Sequence, residues 1–174
     1  MKRLPFAFIH LPKCGGTSIR QGLMRSGYWC GRPGHMTMDQ YIKVDPDIEF
    51  FLVQVRHPVD RVISDYNYRS DVRYGPAQYL TKKHDLDIPF IEWLSSTAPA
   101  RPMVNWFSDI RPSQVYKMED KSIFQYFYDN NIVCPKLHLR QSDVVIQRAL
   151  ISDDELDIIK EKYKEDFDRF DYEL

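Results

Sequence analysis

The chain has 174 residues, of which 43% are hydrophobic and 28% charged, a composition that fits one globular domain with its own core. Its formal net charge of −1 excludes a broad electrostatic surface for nucleic acid, so any anion site must be local. Three cysteines, none in a CxxC pair, argue against a zinc site or a disulfide framework and favour a reducing compartment. No run approaches the roughly 18 apolar residues that span a membrane, and the first ten residues lack a signal-peptide pattern, so we expect a cytoplasmic protein.

The first third of the chain alternates between strand and helix patterns. Leu4–His10 is a short apolar run that predicts a buried strand, and a glycine-containing loop then leads into a helix from about Thr17. Residues 27–34 have the composition of a loop. Glu49–Val55 is a near-continuous apolar run, typical of a strand that is covered on both faces. A helix follows at Pro58, because proline is tolerated in a first turn and the next apolar residues keep helical spacing.

The middle of the chain is less regular. Residues 69–88 are polar and predict a surface excursion, and Ile88–Ser96 predicts a short helix with Asp87 as its cap. Gln114–Lys117 predicts a short strand, and Lys121–Asp129 a helix. The aromatic residues between 68 and 106 could form core, a partner surface or a platform for sugar rings, and the sequence leaves these alternatives open.

A capping-box pattern, Ser152 with Glu155 three residues later, predicts the start of a terminal helix. Its buried stripe is formed by Leu156, Ile159, Tyr163, Phe167 and Phe170. Strands that alternate with helices predict an α/β fold with a mainly parallel sheet flanked by helices, and we expect residues 1–174 to form a single domain.

The string FIHLPKCGGTSIRQGL has the order strand, glycine loop, helix, which is typical of an anion site. Glycines allow the backbone to approach a ligand, and the first N–H groups of the helix point into the loop. Hydroxyl groups and a lysine add further donors. The residues predicted to bind an anion here are Lys13, Cys14, Gly15, Gly16, Thr17 and Ser18.

In the nucleotide-kinase loop GxxxxGK[ST] the lysine follows the glycines, whereas Lys13 precedes them. The order Pro-Lys-x-Gly-Gly-Thr-Ser instead resembles the 5′-phosphosulfate loop of sulfotransferases that use 3′-phosphoadenosine 5′-phosphosulfate (PAPS), especially the branch with carbohydrate 2-O- and chondroitin-type enzymes. The resemblance implies a P-loop-NTPase-like sulfotransferase fold in a minimal single domain. Cys14 stands where the family often has Thr or Ser, and a thiol at a helix N-terminus is expected to favour thiolate and to react with alkylating agents.

A second string, FFLVQVRHPVDRVISDYNY, places Arg56 at a strand end and Ser64 two helical turns later. Ligands of parallel α/β sheets bind at the carboxyl ends of strands, so Arg56 is expected to face the same crevice as the first loop. The string resembles the family's 3′-phosphate motif, which implies that Arg56 and Ser64 hold that phosphate. Asp60 and Arg61 lie on another helical face and are expected to be structural.

Transfer to a hydroxyl needs a group that takes the proton, and His35 in GRPGHMTMDQY is our candidate base. Its place between the first helix and the second strand is similar to the catalytic-base segment of the carbohydrate branch. Asp39 is a candidate to orient it. Further along, PKLHLRQS resembles the loop that closes over the nucleotide, which implies contacts from Arg140 and Ser142.

Together these residues predict a sulfotransferase that moves a sulfuryl group from PAPS to a hydroxyl of an acceptor, expected to be a saccharide or glycoconjugate, with PAP as product. The predicted chemistry is in-line displacement, with His35 as base, Lys13 at the leaving phosphate and no metal. Two alternatives stay open: a P-loop-type nucleotide kinase or NTPase, and a non-catalytic nucleotide-binding module of the same fold. The sequence does not name the acceptor, the oligomeric state or the residues that contact adenine.

Overall fold

The computed structural model of the chain describes residues 2–4, 6–29, 34–70, 88–109, 113–139 and 146–174. In chain order its elements are β1 (Lys2–Arg3), β2 (Phe6–Ile9), α1 (Gly16–Arg25), β3 (Tyr28–Trp29), α2 (Met38–Val44), β4 (Phe50–Val55), α3 (Pro58–Ser70), α4 (Phe90–Ser95), a 3₁₀ helix (Met103–Trp106), β5 (Ser113–Lys117), α5 (Ser122–Asp129), a 3₁₀ turn (Arg148–Leu150), α6 (Asp153–Lys162) and α7 (Lys164–Phe170). The protein is therefore α/β, as the sequence predicted.

The chain divides into two compact units. The first unit comprises Met1–Arg56 and Met103–Leu139, and the second comprises His57–Pro102 and Arg140–Leu174. All described strands belong to the first unit, whereas the described elements of the second are helical. The expectation of a single domain stays a prediction.

The first unit contains two parallel sheets. A three-stranded sheet has the order β2-β4-β5, with β4 in the centre, and a two-stranded sheet joins β1 to β3. Ile9 lies opposite Val53, and Val55 lies opposite Lys117. The central strand β4 thus extends two residues beyond β2 at their shared carboxyl edge. Side chains from this end of β4 lie beside the loop that follows β2.

Residues 51–55 of β4 are buried on both faces of this sheet, which explains the near-continuous apolar sequence of the strand. On one face α1 and α5 pack on the strands, and on the other the ring of Tyr41 in α2 lies 6.2 Å from that of Phe51. The core on the first face consists of Leu4, Phe6, Phe8, Ile19, Leu23, Tyr28, Leu52, Ile123 and Phe127.

The second unit has a core formed by α3, α4, α6 and α7. Trp93 is fully buried in this core, with its ring 5.2 Å from that of Tyr66, so this tryptophan is a packing residue and not a platform for a ligand. Ser152 and Glu155 form the predicted capping box at the start of α6. The stripe predicted for one terminal helix is divided between α6 and α7, because Tyr163 leaves helical geometry, with φ −117 and ψ 21, and caps both.

A buried ion pair joins two helices of the second unit. Arg61 and Asp166 are 1% and 0% exposed, their charged atoms are 3.9 Å apart, and Arg61 also donates to the Arg101 carbonyl at 3.0 Å. Asp60, on the exposed side of α3, pairs with Arg148 at 3.5 Å. The prediction that Asp60 and Arg61 are structural is thus confirmed.

Other differences from the sequence predictions are local. α4 begins after Pro89, and the residue expected to cap it, Asp87, lies outside the described residues together with the rest of 71–87. Residues 69 and 70 still belong to α3, and residues 28 and 29 form β3 where we expected loop. The sequence analysis did not identify α2. Among the residues that the structure describes, no helix combines the length and the apolar character needed to cross a membrane.

Replacing Asp166 tests how much the second unit depends on its buried pair. Asp166→Ala leaves the charge of Arg61 buried without this carboxylate, and we expect the free energy of unfolding to fall by about 3–5 kcal/mol. Asp157→Ala is the matched control, because that carboxylate is 73% exposed and its pair with Lys160 should contribute at most about 1 kcal/mol. Urea unfolding measures both, and equal losses in the two variants would contradict the prediction.

Candidate functional site

The loop between β2 and α1 is held by two side chains at the carboxyl end of β4: Gln54 lies in the strand, and Arg56 directly follows it. Gln54 Nε2 donates to the carbonyl of Cys14 at 2.6 Å, and Arg56 Nη1 donates to the carbonyl of Lys13 at 3.3 Å. Gln54 and Arg56 are two residues apart, and side chains with that spacing leave a strand on the same face. Two consecutive loop carbonyls are therefore tied to the edge of the central strand.

These bonds fix the direction in which the loop presents its N–H groups. In a trans peptide the N–H points opposite to the C=O of the same plane. Since the carbonyls of Lys13 and Cys14 point at β4, the N–H groups of Cys14 and Gly15 point away from it. Lys13 and Gly15 have positive φ, 65 and 71, so the backbone of the loop turns sharply on both sides of Cys14.

Helix α1 begins without the groups that usually neutralise a helix start. Its N-cap is Gly15, which provides no side-chain hydrogen bond, and its first turn contains no acidic residue. The positive end of the helix dipole therefore stays uncompensated by the helix's own side chains. A non-glycine residue in left-handed conformation, as at Lys13, costs about 1–3 kcal/mol, and such strain often marks functional loops.

The two glycines of the loop are required by the protein's own packing. A Cβ on Gly16 would lie 2.2 Å from Cδ2 of His10, and a Cβ on Gly15 would lie 2.9 Å from Nε2 of Gln54. The sequence analysis attributed these glycines to the approach of a ligand, and that stays a prediction. The structure adds a second reason for them, because side chains at the ends of β2 and β4 lie beside both glycines.

His10 connects the loop to His35, the predicted base. His35 Nδ1 lies 2.7 Å from the carbonyl oxygen of His10, and the two imidazole rings are 4.3 Å apart. His10 Nε2 lies 3.5 Å from the hydroxyl of Thr17 at the start of α1. The ring of Trp106 lies 6.1 Å from that of His35, and Trp106 is only 5% exposed.

This contact assigns the protonation of the His35 ring. A carbonyl can only accept, so Nδ1 must carry the hydrogen, and Nε2 of the neutral ring is then the basic nitrogen. His35 is exposed. The structure gives the orienting role to a backbone carbonyl and not to Asp39, the carboxylate proposed from the sequence.

The segment 132–139 lies along α1. Cys134 Sγ donates to the Ile19 carbonyl at 3.7 Å, and a Cβ on Gly22 would lie 2.7 Å from the Pro135 carbonyl oxygen. Leu139 N–H donates to the hydroxyl of Ser18 at 3.2 Å. Ser18 thus anchors the chain one residue before Arg140.

Of the remaining predicted site residues, Arg140 and Ser142 lie outside the described part of the chain. Ser64 is half-buried in α3 of the second unit, whereas Arg56 belongs to the first unit and ends its N-terminal segment. The guanidinium of Arg56 contacts the backbone carbonyl of Lys13. Sequence reasoning missed His10 and Gln54, although each lies at or next to the carboxyl end of a strand, which is the signal that could have identified them.

Cys14 requires a correction. Its side chain is 1% exposed, and its Sγ donates to the Pro12 carbonyl at 3.5 Å and contacts Met103 Sδ at 3.7 Å. The expectation of an accessible thiol at the helix start was wrong, because the side chain points into the interior.

Across the described residues, no three His, Cys, Asp or Glu side chains come together in a way that could hold a metal ion. Comparison with protein-family models, with curated proteins and with solved structures finds no match for this chain. The geometry of the loop, of Arg56 and of the two histidines is therefore the ground for any proposal about function.

The close packing of His10 on Gly16 predicts a coupled pair. Gly16→Ala should lower the free energy of unfolding by about 1–3 kcal/mol, because the added methyl overpacks the loop against the imidazole. His10→Ala makes room for that methyl, so the double variant should lose less than the sum of the two single losses. Gln21→Ala, on the exposed side of the same helix, should change stability by no more than about 0.5 kcal/mol. Chemical unfolding measures all four variants, and additive losses would show that the two residues do not clash.

The burial of Cys14 predicts slow alkylation. Iodoacetamide should modify half-buried Cys134 much faster than Cys14 in the native protein, and the two rates should converge in denaturant. Peptide mapping by mass spectrometry after timed quenching distinguishes the two sites. Native Cys14 that reacts as fast as the unfolded chain would mean that the thiol is accessible at the loop after all.

Proposed function

We propose that the chain is a PAPS-dependent sulfotransferase with a minimal P-loop-NTPase-like sulfotransferase fold, and that its acceptor is a hydroxyl of a saccharide or glycoconjugate. The observation that carries this proposal is the loop whose carbonyls are tied to Gln54 and Arg56, so that its N–H groups face away from the sheet. The loop and the Arg56 segment resemble the 5′-phosphosulfate and 3′-phosphate motifs of the family. We therefore propose PAPS as the sulfuryl donor that binds at this site.

The phosphosulfate of PAPS would bind to the backbone N–H groups of the loop. The start of α1, with no acidic residue in its first turn, adds the positive end of a helix dipole. Thr17 would donate its hydroxyl hydrogen, and Lys13 would place a mobile positive charge against the phosphate. Ser18 would contribute through its hydroxyl hydrogen while its oxygen keeps accepting from Leu139.

The 3′-phosphate would bind to Arg56, with Ser64 as a second donor. A single hydrogen bond of 3.3 Å ties Arg56 to the loop, and a guanidinium has further N–H groups that can hold a phosphate. Arg140 and Ser142 would contact the nucleotide from the segment that follows Leu139. The Ser18 anchor favours this assignment, because it holds the chain at the loop immediately before Arg140.

His35 would act as general base through Nε2. The acceptor oxygen attacks the sulfur in line, its proton passes to Nε2, and the bond between sulfur and the bridging oxygen breaks to release PAP. Lys13 would neutralise the charge that grows on the leaving phosphate oxygen. By analogy with phosphoryl transfer, most of the rate would come from positioning and electrostatic stabilisation. The proposed reaction needs no metal, and we propose that it takes place in the cytoplasm.

Two measurements with PAP test the donor. PAP should raise the melting temperature, whereas ATP with Mg²⁺ should not, because the loop lacks a lysine after its glycines. Lys13→Ala should weaken PAP binding and lower turnover by roughly 10²–10³, the usual effect of losing one charge-stabilising contact. Lys43→Ala, at an exposed position of α2, is the matched control and should leave PAP binding and turnover unchanged. A shift with ATP and Mg²⁺ but not with PAP would favour the kinase alternative.

Turnover tests the base. Labelled PAPS with a panel of saccharides should give labelled product, and His35→Ala should lower kcat by roughly 10²–10⁴ while PAP affinity stays close to that of the parent. PAP binding without transfer to any acceptor would identify a non-catalytic binding module instead.

A further inference from the structure

We propose that His10 is a positioning residue that fixes the tautomer and orientation of His35 and couples them to the contents of the anion loop. Its catalytic meaning rests on the function proposed above, but the geometry from which it is inferred does not. Sequence analysis assigned His10 no role beyond ending the first strand.

The backbone of His10 supplies the first half of the argument. Its carbonyl lies 2.7 Å from His35 Nδ1 and holds the hydrogen on that nitrogen. When Nε2 of His35 takes a proton, Nδ1–H remains in place, and its bond to the carbonyl becomes charge-assisted and therefore stronger. The carbonyl thus selects the basic form before the reaction and stabilises the cation after it.

The ring of His10 supplies the second half. It occupies the space where a Cβ of Gly16 would lie, 2.2 Å from Cδ2, so the ring is held against the start of α1. The same ring lies 4.3 Å from that of His35. The His10 ring therefore limits the positions that the exposed His35 ring can adopt, and it does so from a site defined by the loop itself.

Thr17 connects this arrangement to the ligand. Its hydroxyl lies 3.5 Å from His10 Nε2 and has a single hydrogen, which it can give either to that nitrogen or to a bound anion. An anion that takes this hydrogen leaves the Thr17 oxygen as an acceptor, which favours the form of His10 with hydrogen on Nε2. Filling the loop should thus change the hydrogen bonding of the residue that positions His35.

Long-range ¹H–¹⁵N NMR of the imidazoles tests this directly at a pH where both rings are neutral. His35→Gln and His10→Phe assign the two sets of signals. In the unliganded protein His35 should carry its hydrogen on Nδ1, and adding PAP should shift the ¹⁵N signal of His10 Nε2, because the contact between that nitrogen and the Thr17 hydroxyl changes. A His35 ring with hydrogen on Nε2 in the unliganded protein would overturn the positioning role, and an unchanged His10 in the PAP-saturated protein would overturn the coupling.

The first reading needs no nucleotide, so it separates this proposal from the proposed function. If PAP does not bind, the donor assignment fails while the tautomer of His35 still decides whether His10 positions it. Inorganic sulfate at high concentration then serves as the anion for the second reading, and an unchanged His10 with sulfate bound would again overturn the coupling.

The kcat values of single and double variants distinguish a positioning role of His10 from a purely structural one. His10→Ala should lower kcat at least tenfold, and adding it to His35→Ala should lower kcat no further, because His10 acts through His35. His10→Phe, which keeps the backbone carbonyl and a ring over Gly16, should recover part of the loss. Equal losses from His10→Ala in the presence and absence of His35 would show that His10 only stabilises the fold.

Discussion

Two hydrogen bonds from the carboxyl end of the central strand determine the direction in which the loop presents its N–H groups. Gln54 and Arg56 engage the carbonyls of Cys14 and Lys13 at 2.6 and 3.3 Å, and the planar peptide then directs the attached N–H groups the other way. Without them the same glycine loop could turn its carbonyls outward and repel an anion. The register of the sheet makes the bonds possible, because β4 extends beyond the last paired residue of β2.

The same constraint gives the glycines and His10 their places. The loop that is bound to β4 also lies so close to the end of β2 that a Cβ on residue 16 would clash with the His10 imidazole. The ring is thereby held between the helix start and His35. The His10 ring thus packs against both the loop and His35. A substitution that moves the loop should therefore also change the orientation of His35.

Periodicity and turn chemistry predicted most regular elements of the chain, including β4, α3, α5 and the capping box of α6. They missed α2, since its capping Thr37 and Gln40 precede only a short apolar pattern. The sequence also identified the glycine loop at residues 13–18 and His35 as candidate site residues. It did not show why residue 16 is glycine or which group orients His35. Those depend on contacts between residues distant in sequence, such as His10 with His35 and Gln54 with Cys14, and no local pattern contains them. The misjudged thiol of Cys14 has the same origin, because only the fold determines which way a loop side chain points.

The charge balance of the chain limits how such a site can attract its ligand. With a formal net charge of −1, the protein as a whole offers an anion no long-range attraction. Under the proposed function, binding would come from donors within hydrogen-bonding distance: the loop N–H groups, the start of α1, and the cations Lys13 and Arg56. Short-range donors of this kind discriminate by position, since a phosphate group displaced by one or two ångströms loses most of their bonds. A site built in this way favours a ligand whose anionic groups have a fixed spacing over one that is merely more highly charged.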